Sequence, residues 1–504
     1  MPSHQNVPLN DSQKAQWINA ISKMDDTFLP ALAHQDKDTQ NKRVYVIAFD
    51  GTWNDRENIK EMERLNERPT NPAQLEKLLS EQYDGHFLDG KYYEGVGTRD
   101  NEVSRLVSGA TGHGTEERAE RAFKDFQEKA TQWLKEDPNA QIHVFVTGFS
   151  RGSASARHFL NLLDERGVPA DKGHLRYADN PYSDTAPSKQ ERVYSEYLRA
   201  PGSITSSALL YDTVATGQEN VVKLGIPPST YFVVHITSQD ENRSTFPLTS
   251  ISGQKPQGPI EEARYKTISL PGVHSDIGGG YPEGVGKLGK YLGEQTLYKL
   301  GFDIELGSPP YEALTEGMHA HKTGPAPVAE QAGNLRETPE NDRRTWNVEN
   351  APMNEAEKLL LEQDLRANVI EGALRYMQAL DAGKAPPDPD GRQNFAILLE
   401  PHGDGTMTVH VSDPNVVKFD EHAGTISVYG EVVKTLSDSD YDKLEKGEPY
   451  AAAYSAMPDY AKDGTEVSTI PSMSEHRVTA IEHAKPAPQQ QEAPAAAEAP
   501  SMSM

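Results

Sequence analysis

Residues 142–152 read Ile142-His143-Val144-Phe145-Val146-Thr147-Gly148-Phe149-Ser150-Arg151-Gly152. The run to Phe149 is apolar and β-branched without alternation, the pattern of a strand buried on both faces of a sheet. Residues 153–166 then have helical composition and stop at Gly167. A serine at such a strand-to-helix reversal lifts its hydroxyl above the sheet edge, beside the positive end of the helix. The flanking glycines let the chain reverse without a Cβ clash. The pentapeptide alone is common by chance, so the strand before it and the helix after it carry the weight. The rival reading is a glycine-rich turn with an incidental serine.

Similar strand-length runs occur at Val44–Phe49, Ser207–Val214, Tyr231–Thr237 and Tyr265–Leu270. Between the first of these and Ile142, Ala119, Ala122, Phe123, Phe126, Ala130 and Leu134 recur at three- and four-residue spacing, which predicts a helix over 115–134. Strands alternating with helices imply a mostly parallel sheet covered by helices on both faces, with function at the carboxyl ends of its strands.

Five divisions follow. Residues 1–40 are an N-terminal extension in which 17–32 has weak helical spacing and no clear core face. Residues 41–310 form the α/β catalytic domain, 311–390 a linker and helical segment, and 391–471 a small β-rich segment. The helix is expected over 355–380 and a loop over 324–350. Residues 472–504 (…KPAPQQQEAPAAAEAP…) bury too little apolar area to offset ordering entropy and are expected to be a disordered tail.

The composition narrows the chemistry. Among 504 residues, 76 acidic against 50 basic side chains give a net charge of −26, which argues against nucleic-acid binding. Contact with an anionic membrane then needs a local cationic or apolar face. The absence of cysteine excludes disulfides, thiolate metal sites and a cysteine nucleophile. No apolar run approaches the roughly eighteen residues that span a bilayer. The start MPSHQNVPLNDSQ shows no Sec-type signal peptide, so export would use another route.

Ser150 needs a base, and the base an orienting acid. The best of sixteen histidines is His274, in Leu270-Pro271-Gly272-Val273-His274-Ser275-Asp276, past a strand and downstream of the serine. His235, His143 and His158 read as core histidines. For the acid, Asp212 in LLYDTVAT and Asp240 in HITSQDENR end successive strands, and the residues alone leave the choice even. The oxyanion hole is expected from the amide of Arg151 and from Gly51 or Thr52 in the loop after Val44–Phe49. A phosphatase-type D-x-D-G-T loop is rejected because its first position is Ala48. Asp50, His274 and Asp276 lack the spacing of a metal site, so no metal and no cofactor is expected. The turn Gly95–Thr98 and the stretch Gly109–Gly114 read as ordinary loops.

Taken in order, FDGTWN (49–54), YYEGVGT (92–98), GFSRG (148–152), YDTV (211–214) and PGVHSDIGGGY (271–281) resemble the Tle type 1 class of type VI secretion lipase effectors. The resemblance covers about residues 41–305. It implies an α/β-hydrolase fold, hydrolysis of acyl esters of membrane glycerophospholipids, and a Ser150–Asp212–His274 triad, with the family's acid in the D-T-V turn. It also implies an antibacterial effector made in the bacterial cytoplasm and acting at a target-cell membrane. A secretion-apparatus protein and an immunity protein are the candidate partners. Two alternatives stand beside it: an esterase or thioesterase on a soluble substrate, and a non-catalytic delivery or binding module.

Overall fold

The computed structural model describes residues 5–25, 33, 41–96 (except 53), 114–251 (except 171–172, 179–188, 219–220, 242 and 244–245), 264–320, 345–346, 370, 373–374, 377, 380, 393–456 (except 404) and 479–482. In chain order the elements that position the site are β1 (Gln5–Val7), α1 (Asp11–Asp25), β2 (Lys42–Phe49), α2 (Asn71–Ser80), β3 (Leu88–Tyr93), α3 (Thr115–Glu136), β4 (Gln141–Phe149), α4 (Arg151–Arg166), β5 (Thr205–Tyr211), β6 (Thr230–Ser238), β7 (Tyr265–Leu270), α5 (His274–Gly278), α6 (Gly286–Lys299) and β8 (Met318–Ala320).

Six strands form one sheet in the order β7-β6-β5-β4-β2-β3. Every neighbouring pair in it is parallel. The continuous apolar runs follow from cover on both faces. Val44, Val46, Phe145, Leu209 and Tyr211 pack with α1, α2 and α6. Their immediate neighbours Tyr45, Ile47, Val144, Val146, Ala208 and Leu210 pack with α3 and α4 on the opposite side. Each position is apolar because either face buries it, and full burial of such a side chain is worth roughly 1.5–3 kcal/mol. Parallel pairing brings the carboxyl ends of β2, β4, β5, β6 and β7 to one edge.

The N-terminal segment departs from expectation. Trp17, Ile21 and Met24 on α1 are buried in the core, at the i, i+4, i+7 spacing of one helical face. Trp17 also donates its indole N–H to the carbonyl of Pro271 at 3.1 Å, three residues before His274. Strand β1 pairs antiparallel with β8. The expected lack of a core face was wrong because the three apolar residues are diluted by polar neighbours.

Downstream of the sheet, strands at Gln393–Pro401, Thr406–Val411 and Tyr450–Ala456 pair antiparallel, and Val417–Asp420, Thr425–Val428 and Glu431–Thr435 form a three-stranded meander. Thr479–Glu482 pairs with Thr406–Val409, inside the stretch expected to be tail. The loop over 324–350 and the helix over 355–380 fall largely outside the described residues, as do most of the Gly97–Gly114 turns and the rest of the tail. Among the described residues no helix is long and apolar enough to cross a membrane.

Candidate active site

The sharp turn at Ser150 is forced by close approach of backbone. A Cβ on Gly148 would lie 2.6 Å from the carbonyl oxygen of Gly152, and one on Gly152 would strike the carbonyls of Phe49 and Asp50. Only glycine lets β4, α4 and the end of β2 meet this tightly. Ser150 itself sits at φ 58°, ψ −125°, a conformation a serine adopts only when its surroundings hold it. Its amide donates to Tyr211 O at 3.0 Å, and Ser153 Oγ donates to Gly148 O at 2.6 Å and Tyr211 O at 3.0 Å. The elbow is thereby tied to the end of β5.

One residue past β5, Asp212 also takes a positive φ, 43°, and is fully buried. Its Oδ1 accepts from Ser238 N at 2.9 Å, and its Oδ2 lies 2.5 Å from His274 Nδ1. The two side chains come from elements 62 residues apart. The His274 ring is packed between Phe149, at 4.5 Å between centroids, and Phe246, at 4.9 Å. Phe149 directly precedes Ser150, which brings the imidazole to the elbow's flank. Burial pushes His274 below the ordinary histidine value of 6.5, and the Asp212 hydrogen bond and charge oppose this only in part. An imidazole whose Nδ1–H is fixed on a carboxylate keeps Nε2 available as a proton acceptor.

Asp240 is placed elsewhere. Its Oδ2 accepts from Gly272 N at 2.7 Å, and its own amide donates to Gly272 O at 3.1 Å. It shapes the loop that carries His274, and no hydrogen bond joins the two side chains. The other three histidines weighed as the base, His143, His158 and His235, are held within the core. His143 contacts Thr205 and Ser207 hydroxyls at 2.9 Å each, and burial pushes it down to about 3. His158 Nδ1 accepts from Lys223 N, and His235 Nε2 accepts from Thr213 N at 3.2 Å, bracing the turn after Asp212.

In the loop after β2, Arg151 donates a guanidinium N–H to Thr52 Oγ1 at 2.8 Å, fastening the elbow to this loop. The amide of Gly51 donates to Asp50 Oδ1 at 2.8 Å. That carboxylate also accepts from Thr70 Oγ1 and Tyr92 Oη at 2.6 Å each, and burial still raises it to about 6. Of the two loop residues considered for the oxyanion hole, Gly51 therefore has its N–H engaged by its own neighbour.

The sequence offers Asp276 only as a metal ligand. Fully buried, it accepts from Val273 N at 3.0 Å and His319 N at 2.9 Å, and it lies 2.6 Å from His319 Nδ1. This second aspartate–histidine pair locks the start of α5, where His274 is the first residue, to β8. Asp50, His274 and Asp276 thus have separate hydrogen-bond partners. Removing Asp276 leaves several buried donors without an acceptor, each costing roughly 1–3 kcal/mol. Asp276→Ala is accordingly expected to lose about 3 kcal/mol or more in urea unfolding. A loss under about 1 kcal/mol would show the clamp to be dispensable.

The catalytic-domain profile of the type VI secretion phospholipase effectors, Tle1-like, matches residues 43–298, just over half of the chain. The chain belongs to this family. Its fold is that of the α/β hydrolases, as the parallel sheet and elbow show. Among solved structures, it is similar to a Tle1 effector bound to the VgrG spike of the type VI secretion system, with 20% identity and TM-score 0.31, covering 48% of this chain and 52% of that one. The chain thus matches about half the length of that effector. An uncharacterized protein from Pseudomonas aeruginosa is similar at 16% identity and TM-score 0.34, covering 87% of this chain and 76% of that one. A cutinase-like protein from Cryptococcus sp. follows at 12% identity and TM-score 0.23, covering 52% and 97%. No curated protein sequence matches significantly.

Proposed function

We propose that this member of the Tle1-like family is a serine hydrolase that cleaves acyl esters of membrane glycerophospholipids. The reading is carried by the 2.5 Å contact of His274 Nδ1 with Asp212 Oδ2 at the edge where the elbow presents Ser150. His274 Nε2 takes the proton from Ser150 Oγ, and the oxygen attacks the acyl carbonyl. The oxyanion is stabilised by the amides of Arg151 and Thr52, Gly51 N–H being engaged by Asp50. The tetrahedral adduct collapses, its C–O bond to the glycerol oxygen breaks, and His274 returns the proton to that oxygen, releasing a lysophospholipid. Water, deprotonated by His274, then attacks the acyl-enzyme and releases the fatty acid.

The same family membership supports delivery to a target-cell membrane. A spike protein of the secretion apparatus would be the carrier, and an immunity protein the protector of the producing cell. Mass-spectrometric analysis of mixed bacterial lipid treated with the full chain tests the enzymatic reading. Fatty acid and lysophospholipid should appear together, and intact lipid after long incubation would refute it.

The pH dependence follows from the imidazole. Only neutral His274 can accept the serine proton, so kcat/KM should fall as pH drops through its pKa. Burial lowers that value, the nearby Arg243 charge acts in the same direction, and Asp212 and Glu241 act against it. The acid limb of kcat/KM should therefore lie below 6.5. A limb centred above about pH 7 would contradict the assignment.

A further inference from the structure

A cavity of about 320 Å³ is walled by Arg68, the start of α2, the glycine segment after α5, the Gly286–Glu294 part of α6 and residues 307–310. Contacts tie it to the proposed catalytic groups. Arg68 N donates to Gly280 O at 2.7 Å, and Thr70 pairs with Gly279 as an isolated bridge. Thr70 in turn donates to Asp50, the residue before Gly51 and Thr52. A side chain on Gly278 would run into the ring of Phe149, which flanks His274. One wall of the cavity is thus continuous with the oxyanion loop, and another with the ring beside the histidine.

The lining is not suited to an acyl chain. Arg68, Lys287, Lys290 and Glu294 are in its walls, and burying their polar groups under hydrocarbon would be costly. Lys287 pairs with Glu316 and Lys290 with Glu294, each at 2.6 Å. Three cations against two carboxylates leave one positive charge, in a chain whose net charge is −26. A Cβ on Gly280 or Gly307, both of which line the cavity, would meet no atom within 4 Å.

We propose that this cavity is a subsite for a phosphodiester, occupied by the headgroup of the glycerophospholipid whose acyl ester lies over Ser150. In such a lipid the phosphate is a few bonds from either ester, so a polar, cationic recess linked to the elbow's surroundings through Gly278 against Phe149 and Thr70 against Asp50 can hold one while the other reacts. Arg68 supplies planar, charge-assisted donors to the phosphate oxygens, and Lys287 and Lys290 add charge nearby. The inference rests on the phospholipase reading and adds to it the group that the enzyme uses to choose its substrate.

The test compares hydrolysis of phosphatidylethanolamine and of a neutral diacylglycerol with the same acyl chains, both in mixed micelles. The proteins are the full chain and its Arg68→Gln, Arg68→Lys and Gly307→Trp variants. Gly307 has an unstrained φ and open space, so a tryptophan there fills the recess without disturbing the backbone. For Arg68→Gln and Gly307→Trp, the loss in kcat/KM should be about tenfold greater on the phospholipid than on the neutral lipid and mainly in KM, with Arg68→Lys recovering part of it. Equal losses on both lipids, or none on the phospholipid, would overturn the subsite. Glycerophosphoethanolamine should inhibit the wild type competitively and Arg68→Gln far less; inhibition only by inorganic phosphate would assign the cavity to free phosphate instead. If the wild type cleaves neither lipid, the phospholipase reading fails. Glycerophosphoethanolamine binding to Ser150→Ala, weakened by Arg68→Gln, still tests the subsite separately: its presence supports the recess and its absence refutes it.

Discussion

Replacing Ser150 by alanine is expected to lower fatty-acid release from phospholipid vesicles by about 10³-fold or more, with the chain still folded. The hydroxyl is the atom that forms the acyl-enzyme, and the nearest serine in the chain cannot replace it: Ser153 Oγ is buried and committed to the carbonyls of Gly148 and Tyr211. Alanine keeps the Cβ and the strained φ of 58° that serine already tolerates, so thermal unfolding should shift little. Release within about threefold of wild type by a folded variant would remove Ser150 from the mechanism.

Asp212→Asn should be nearly as severe, about 10³- to 10⁴-fold in kcat, through the proton it misplaces. Asp212 accepts on both oxygens, from Ser238 N on Oδ1 and from His274 Nδ1 on Oδ2. An asparagine has only one oxygen. Turned toward Ser238, it presents its NH₂ to His274 Nδ1, which must then accept, and the ring proton moves to Nε2 where the serine proton has to go. Turned the other way, its NH₂ faces the N–H of Ser238, donor against donor. Asp240→Asn, which disturbs only the bond from Gly272 N, should cost less than about tenfold. If the two variants exchange these magnitudes, Asp240 is the acid.

Local sequence patterns carry the strands and the elbow. The doubly buried strands are readable because their faces alternate between two apolar helix layers: Val44–Phe49 has no polar residue and Ile142–Phe149 only His143 and Thr147, too few for the polar face of an amphipathic helix. The elbow is readable because Gly148 and Gly152 are demanded by backbone contacts that any sheet of this shape makes. Relations between distant residues are less visible. The residues alone could not separate Asp212 from Asp240, since both end parallel strands. What distinguishes them is strand register, which aims Asp212 at His274 and Asp240 at the Gly272 amide. The Asp276–His319 pair spans 43 residues and has no local signature, because it depends on β8 folding back to pair with β1. The engagement of Gly51 N–H by Asp50 is a matter of side-chain rotamer, which no sequence motif records.

The most direct measurement is covalent labelling of the full chain with a fluorophosphonate, followed by peptide mapping. A phosphonyl adduct should form at Ser150, and labelling should fall by orders of magnitude in His274→Ala because the base that activates the hydroxyl is gone. No adduct on the folded chain, an adduct on another residue, or labelling that survives loss of His274 would contradict the activated-serine site.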